Sequence, residues 1–129
     1  MTPQAIVEEI ITAYGNRDLD TVLAHTSDTL HFKNNAAPGI APHVADTQTK
    51  ADFLAYMSEI DDCWQIDRFD LQQIIANGQD VATRSRLDYT SKSTGKQVLT
   101  EVAHFWHVED GAVTKIVEFY DTAAIGHCK

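Results

Sequence analysis

The chain is expected to fold as an α+β domain, with three N-terminal helices covering one face of a curved antiparallel β-sheet. Three observations point there. Apolar residues recur at helical spacing in three segments before residue 63. From Trp64 onward the pattern changes to strand-like alternation, in four runs at 64–76, 79–90, 98–109 and 112–121. Asn77-Gly78, Thr94-Gly95 and Asp110-Gly111 fall between those runs, and such pairs suit hairpin turns. A sheet curled around helices leaves a cone between the layers, which is a natural ligand pocket.

Thr2-Pro3 supplies a capping hydroxyl and a proline at the first helical position. Ile6, Val7, Ile10, Ile11 and Tyr14 then form one apolar stripe, and Gly15 ends the helix. Asp18 is the expected N-cap of a second helix that buries Leu19, Val22 and Leu23. "DTLHFKNN" is short and β-like, and "AAPGIAPHVADTQ" reads as a loop because of its two prolines and a glycine. Thr49-Lys50-Ala51-Asp52 resembles a capping box, with Asp in place of Glu, before the third helix carrying Phe53, Leu54, Met57 and Ile60. No repeat or linker interrupts the chain, so residues 1–129 form a single domain.

A hydrophobic fraction of 43% and a charged fraction of 22% are those of an ordinary globular protein, long enough to bury a core. The net charge of −9, without any Lys/Arg cluster, argues against a nucleic-acid partner. No apolar run is long enough for a signal peptide or a membrane span, so a cytoplasmic location is expected. Cys63 and Cys128 have neither a disulfide-framework pattern nor zinc-ligand spacing, so reduced thiols are expected. His104 and His107 are three apart on a strand and point to opposite faces, while His25, His31, His43 and His127 lie in separate segments. No metal site is expected, and no phosphate-cradling or dinucleotide motif calls for a cofactor.

The segment "RSRLDYTSKSTGK" (84–96) puts Arg84, Arg86 and Asp88 on one face of a strand, and Thr83, Ser85, Leu87 and Tyr89 on the other. Charges on a strand usually face water. A resemblance argues otherwise here. "VEEIITAYGNRDLDTVLAHTSDTLHF" and "HFWHVEDGAVTKIVEFYD", with their Y-x-x-x-D-L-D opening and V-x-D-G-x-V…D close, resemble the nuclear transport factor 2-like superfamily in its SnoaL-like branch. The resemblance spans nearly the whole chain and implies a cone-shaped, cystatin-like α+β roll with a small-molecule pocket. It further implies that the inner sheet face lines the pocket and that the outer face often pairs with a second subunit. On that basis the face bearing Trp106 and Val108 is the expected homodimer surface.

Limonene epoxide hydrolases of that superfamily carry an Arg-x-Asp pair on this strand and a second carboxylate on the last. Arg86, Asp88 and Glu118 stand at the matching places here, Glu replacing Asp. The resemblance thus implies catalysis with Asp88 as acid, Glu118 as base and Arg86 orienting both by bidentate hydrogen bonds. Asn34 matches that enzyme's water-binding asparagine, while Phe32 replaces its tyrosine. Arg84, Phe105, His107 and Tyr120 are expected to contact substrate from the sheet, and Phe53 and Met57, with Tyr56 and loop 35–48, from the other side. A ketosteroid isomerase site fits less well, because Ala103 and Ile10 stand where its aspartate and tyrosine would be. The reading is a cofactor-independent acid–base enzyme, epoxide hydrolase-, cyclase- or isomerase-like, acting on a small apolar molecule. The alternative is a non-catalytic ligand-binding or dimerisation module of the same fold.

Overall fold

The computed structural model describes residues 1–36 and 45–125. Helix α1 (Pro3–Gly15) starts where Thr2 Oγ1 accepts the Ala5 N–H at 3.1 Å, and it buries Ile6, Val7, Ile10 and Ile11. Its last residue must be small: a Cβ on Gly15 would lie 2.8 Å from the Phe69 carbonyl oxygen. Helix α2 (Leu19–Ala24) is capped by Asp18, which accepts the Thr21 N–H, and it buries Val22. Helix α3 (Lys50–Cys63) is capped by Thr49 Oγ1 on the Asp52 N–H and buries Phe53 and Met57.

The strands are β1 (Thr26–Asn34), β2 (Asp46–Thr47), β3 (Trp64–Asn77), β4 (Asp80–Ser91), β5 (Gln97–Glu109) and β6 (Ala112–Tyr120). They form one curved, unclosed sheet in the order β2-β1-β6-β5-β4-β3. The β3–β4–β5–β6 meander is antiparallel, as its turns require. Asp110 and Gly111 both have positive φ, the conformation of a tight hairpin that matches strand twist. The sheet as a whole is mixed, because β1 runs parallel to β6. The expected purely antiparallel sheet therefore needs correction: β1 is separated from β6 by the rest of the domain, and no hairpin constrains its direction. Two short elements escaped the pattern. Part of the expected 36–48 loop is β2, which pairs with Phe32 and Lys33, and Asp121 caps a one-turn helix α4 (Thr122–Ile125).

The core lies on the face of the sheet that meets α1 and α3, around Ile6, Val7, Leu30, Phe32, Val81, Val108, Val113 and Ile116. A smaller cluster of Trp64, Tyr89 and Val98 closes the β3–β4 end. Cys63, at the end of α3, is disulfide-bonded, against the expectation of reduced thiols. Among the described residues, no helix is long and apolar enough to cross a membrane.

Candidate functional site

Burial decides the orientation of each strand. On β4 the alternation offers Val81, Thr83, Ser85, Leu87 and Tyr89 on one side, and Arg84, Arg86 and Asp88 on the other. The first set faces the helices, with Leu87 and Tyr89 bordering the cavity. The charged set lies on the outer face, which corrects the expectation that Arg84, Arg86 and Asp88 point inward. Uncompensated charge is costly in an apolar interior, whereas outside it finds partners. Arg86 Nε donates to Asp88 Oδ1 at 2.6 Å, Arg84 pairs with Glu101, and Arg68 with Asp70.

Strand β5 is corrected in the same way. Val102, His104, Trp106 and Val108 face inward, and Trp106 is 6% exposed with its Nε1–H donating to Thr83 Oγ1 at 2.9 Å. Trp106 and Val108 are therefore core residues and not an outer dimer surface. Phe105 and His107, expected in the pocket, are on the outer face; Phe105 is 54% exposed. His107 Nδ1 lies 2.7 Å from Asp80 Oδ1, and its Nε2 is 3.1 Å from Glu109 Oε1. Hydrogen bonding to Asp80, then to Glu109, raises its pKa above the ordinary histidine value.

Strand β6 keeps its expected orientation, so Glu118 and Tyr120 line the cavity together with Phe32, Phe53 and Met57. The cavity measures about 120 Å³ and lies between the inner sheet face and helices α1 and α3. Its walls are mostly apolar and aromatic: Ile10, Ile11, Phe69, Leu87 and Trp106 join those already named. Loop positions 37–44, including His43, and His127 and Cys128 in the tail lie outside the described residues.

The register assembles the polar part of the site. Asn34 on β1 pairs with Glu118 on β6, Glu118 with His104 on β5, and His104 with Thr83 on β4. One row across four strands thus carries all four side chains on the inner face. His104 Nε2 and Glu118 Oε2 are 2.7 Å apart, with the side chains 7% and 19% exposed. With Glu118 ionised, Nε2 carries the proton and donates it to the carboxylate. His104 Nδ1 is buried and has no partner among the described residues. Asn34 stands beside this pair as a brace: its Oδ1 accepts the Ala45 N–H at 2.9 Å, and its Nδ2 donates to the Tyr56 hydroxyl at 3.1 Å. Sequence reasoning missed His104. Its parity with Trp106 and Val102, two residues that an interior would claim, was the available signal.

All four tyrosines, Tyr14, Tyr56, Tyr89 and Tyr120, line this cavity. Burial pushes each phenol above its ordinary pKa of 10.0, that of Tyr120 to about 12, and the Glu118 carboxylate adds to the shift in every case. The folded protein should therefore show no tyrosinate absorbance at pH 10, where the unfolded chain is about half ionised. Between pH 10 and the folded values the native state holds protons that the unfolded state sheds. Stability from the buried phenols is complete below pH 10 and falls above it. A tyrosinate band that rises with a midpoint at 10 in folded protein would contradict this placement.

A carboxylate hydrogen-bonded to an imidazole in an apolar cavity can take a proton from a substrate, share it, and return it at another position. Among the described residues, no group of three or more His, Cys, Asp or Glu side chains is arranged to hold a metal ion.

Solved structures similar to this chain share its fold. An NTF2-like protein of unknown function from Burkholderia pseudomallei is 18% identical, with a TM-score of 0.86, covering 97% of this chain and 98% of its own. A candidate polyketide cyclase from Pseudomonas putida is 18% identical with a TM-score of 0.80, covering 96% and 95%. An LEH-like epoxide hydrolase from M. tuberculosis is 20% identical with a TM-score of 0.74, covering 94% and 84%. No curated protein matches the sequence. The family model described as a SnoaL-like domain matches residues 7–119, so the chain belongs to the SnoaL-like family.

Proposed function

We propose that the protein is a cofactor-independent acid–base enzyme that moves protons on a small, largely apolar, enolisable molecule, in an isomerase- or cyclase-type reaction. The observation that carries this is the 2.7 Å His104–Glu118 contact in a cavity with otherwise apolar and aromatic walls. The mostly apolar lining strengthens each polar interaction with a bound substrate. Glu118 acts as the base, and His104 orients its carboxylate and passes the proton on. A two-carboxylate epoxide opening has less support, because Asp88 lies on the far side of the sheet. The candidate cyclase and epoxide hydrolase among the structural neighbours are consistent with pocket chemistry on this fold, without selecting the reaction.

The test is a turnover panel of enolisable ketones, β-keto esters and epoxides, run with wild type and Glu118→Gln. Turnover of a carbonyl class that is lost in the variant supports the reading. Ligand binding without turnover of any class replaces it with a binding module.

We further propose a homodimer through the outer sheet face. Phe105 and Phe119 meet edge to face there at 5.8 Å, 54% and 41% exposed, and Leu99, further along β5 on the same face, is 58% exposed. Such an apolar patch on a sheet face without helices favours association.

A further inference from the structure

We propose that the Tyr56 hydroxyl is the hydrogen-bond donor that holds the carbonyl oxygen of a small ketone while Glu118 removes the proton from the adjacent carbon. This rests on the acid–base reading above and adds to it a second catalytic group, supplied by helix α3.

Asn34 decides which way the hydrogen bonds of this phenol run. Its Oδ1 accepts the Ala45 N–H at 2.9 Å, and only an oxygen can accept there, so the orientation of the amide is fixed. Its Nδ2 then faces the Tyr56 hydroxyl at 3.1 Å, and an amide nitrogen can only donate. Tyr56 is therefore the acceptor in that bond and keeps its own proton to give. Among the described residues no acceptor takes that proton. The side chain lines the cavity from α3, with its ring 5.1 Å from that of Phe32. Asn34, which holds the hydroxyl, is the register partner of Glu118 across the β1–β6 pair. Neighbouring strands lie about 4.8 Å apart, so phenol and carboxylate meet at one end of the cavity. Two causes raise the Tyr56 pKa well above 10.0, burial first and the Glu118 charge second. The phenol is thus neutral, and a donor, at neutral pH. The chemistry needs such a donor. Glu118 takes the proton, the C–H pair becomes the enolate double bond, and the carbonyl π pair moves onto oxygen. A hydrogen bond to that oxygen strengthens as its charge develops. No Lys or Arg lines the cavity to hold it instead. Return of the proton from Glu118 to carbon closes the cycle without a co-reactant.

Butanone, isotope-labelled at its carbonyl carbon, tests this in two ways, by deuterium exchange in deuterium oxide and by the NMR shift of the bound carbonyl. In Tyr56→Phe, kcat for exchange should fall by about 10²–10³-fold, the usual cost of removing one such donor. KM should change by no more than about tenfold, because the neutral ground state gains little from the bond. The bound carbonyl signal should move upfield in the same variant, toward its position in hydrocarbon solvent. Replacing Tyr56 by 3-fluorotyrosine keeps the contact to Asn34 and makes the phenol a stronger donor, so the signal should move downfield. A side chain that only braces Asn34 would leave the signal where it was, and this variant decides the matter if Tyr56→Phe does not fold. A carbonyl signal unchanged in both variants overturns the proposal. So does wild-type exchange kinetics in folded Tyr56→Phe, or failure of butanone to bind. Glu118→Gln separates this inference from the reading on which it rests: exchange should be lost while the bound signal still depends on Tyr56. A signal that depends on Tyr56 in a wild-type protein that exchanges nothing keeps the donor and rejects the enzyme.

Discussion

Replacing Glu118 with Gln should lower turnover of an enolisable ketone by about 10²–10⁴-fold, the usual worth of a positioned general base. The amide keeps the shape and a hydrogen bond to His104 but cannot take a proton. His104→Gln should cost a similar factor, since Nε2 holds the Glu118 carboxylate at 2.7 Å and an amide cannot relay a proton. Asp88→Asn is the control. Its partner is Arg86 on the outer face, so turnover should stay within about twofold of wild type, as for most surface substitutions. Measured kcat/KM for the three variants separates the inward pair from the outward one. Equal losses in Asp88→Asn and Glu118→Gln would mean that the two carboxylates act together after all.

The second large effect is on stability. Trp106→Ala should destabilise the fold by about 3–5 kcal/mol, the usual cost of truncating a buried tryptophan. The indole is 6% exposed and its N–H is bonded to Thr83, so the change leaves both a cavity and a changed hydroxyl environment. Phe105→Asp, one residue away on the opposite face, should change monomer stability by only about 0.5 kcal/mol. It should shift sedimentation from dimer to monomer at micromolar concentration. Urea unfolding and sedimentation of the same two variants check both statements. A Trp106→Ala protein that unfolds at the wild-type midpoint would contradict the core placement.

The legible part of the sequence was the local part. Thr2, Asp18 and Thr49 cap the helices that they announce, because capping is decided within four residues. The Asp110-Gly111 turn has the positive φ angles that its composition implies. Strand parity was also readable: Glu118 and Tyr120 share a face, and His104 and His107 do not. What the alternation leaves open is which face is inner, since period two defines two faces without labelling them. On β4 the family resemblance favoured the charged set, whereas Leu87 and Tyr89 took the interior because apolar burial outweighs a positional match. The parallel β1–β6 pairing was hidden for a different reason. It joins residues such as Asn34 and Glu118 across most of the chain, and no local signal reports such a contact. Parity with Val102 and Trp106 could have turned His104 inward, but only that row sets it beside Glu118.

In the proposed reaction Glu118 exchanges protons with a bound carbon acid inside the cavity. Incubating acetophenone with the protein in deuterium oxide and following the methyl signal by NMR tests this most directly, because exchange reports proton abstraction whatever the natural product is. Wild-type exchange should run well above the buffer rate, fall at least about a hundredfold in Glu118→Gln and be retained in Asp88→Asn. Exchange at the buffer rate in wild type, with acetophenone shown to occupy the cavity, would contradict it.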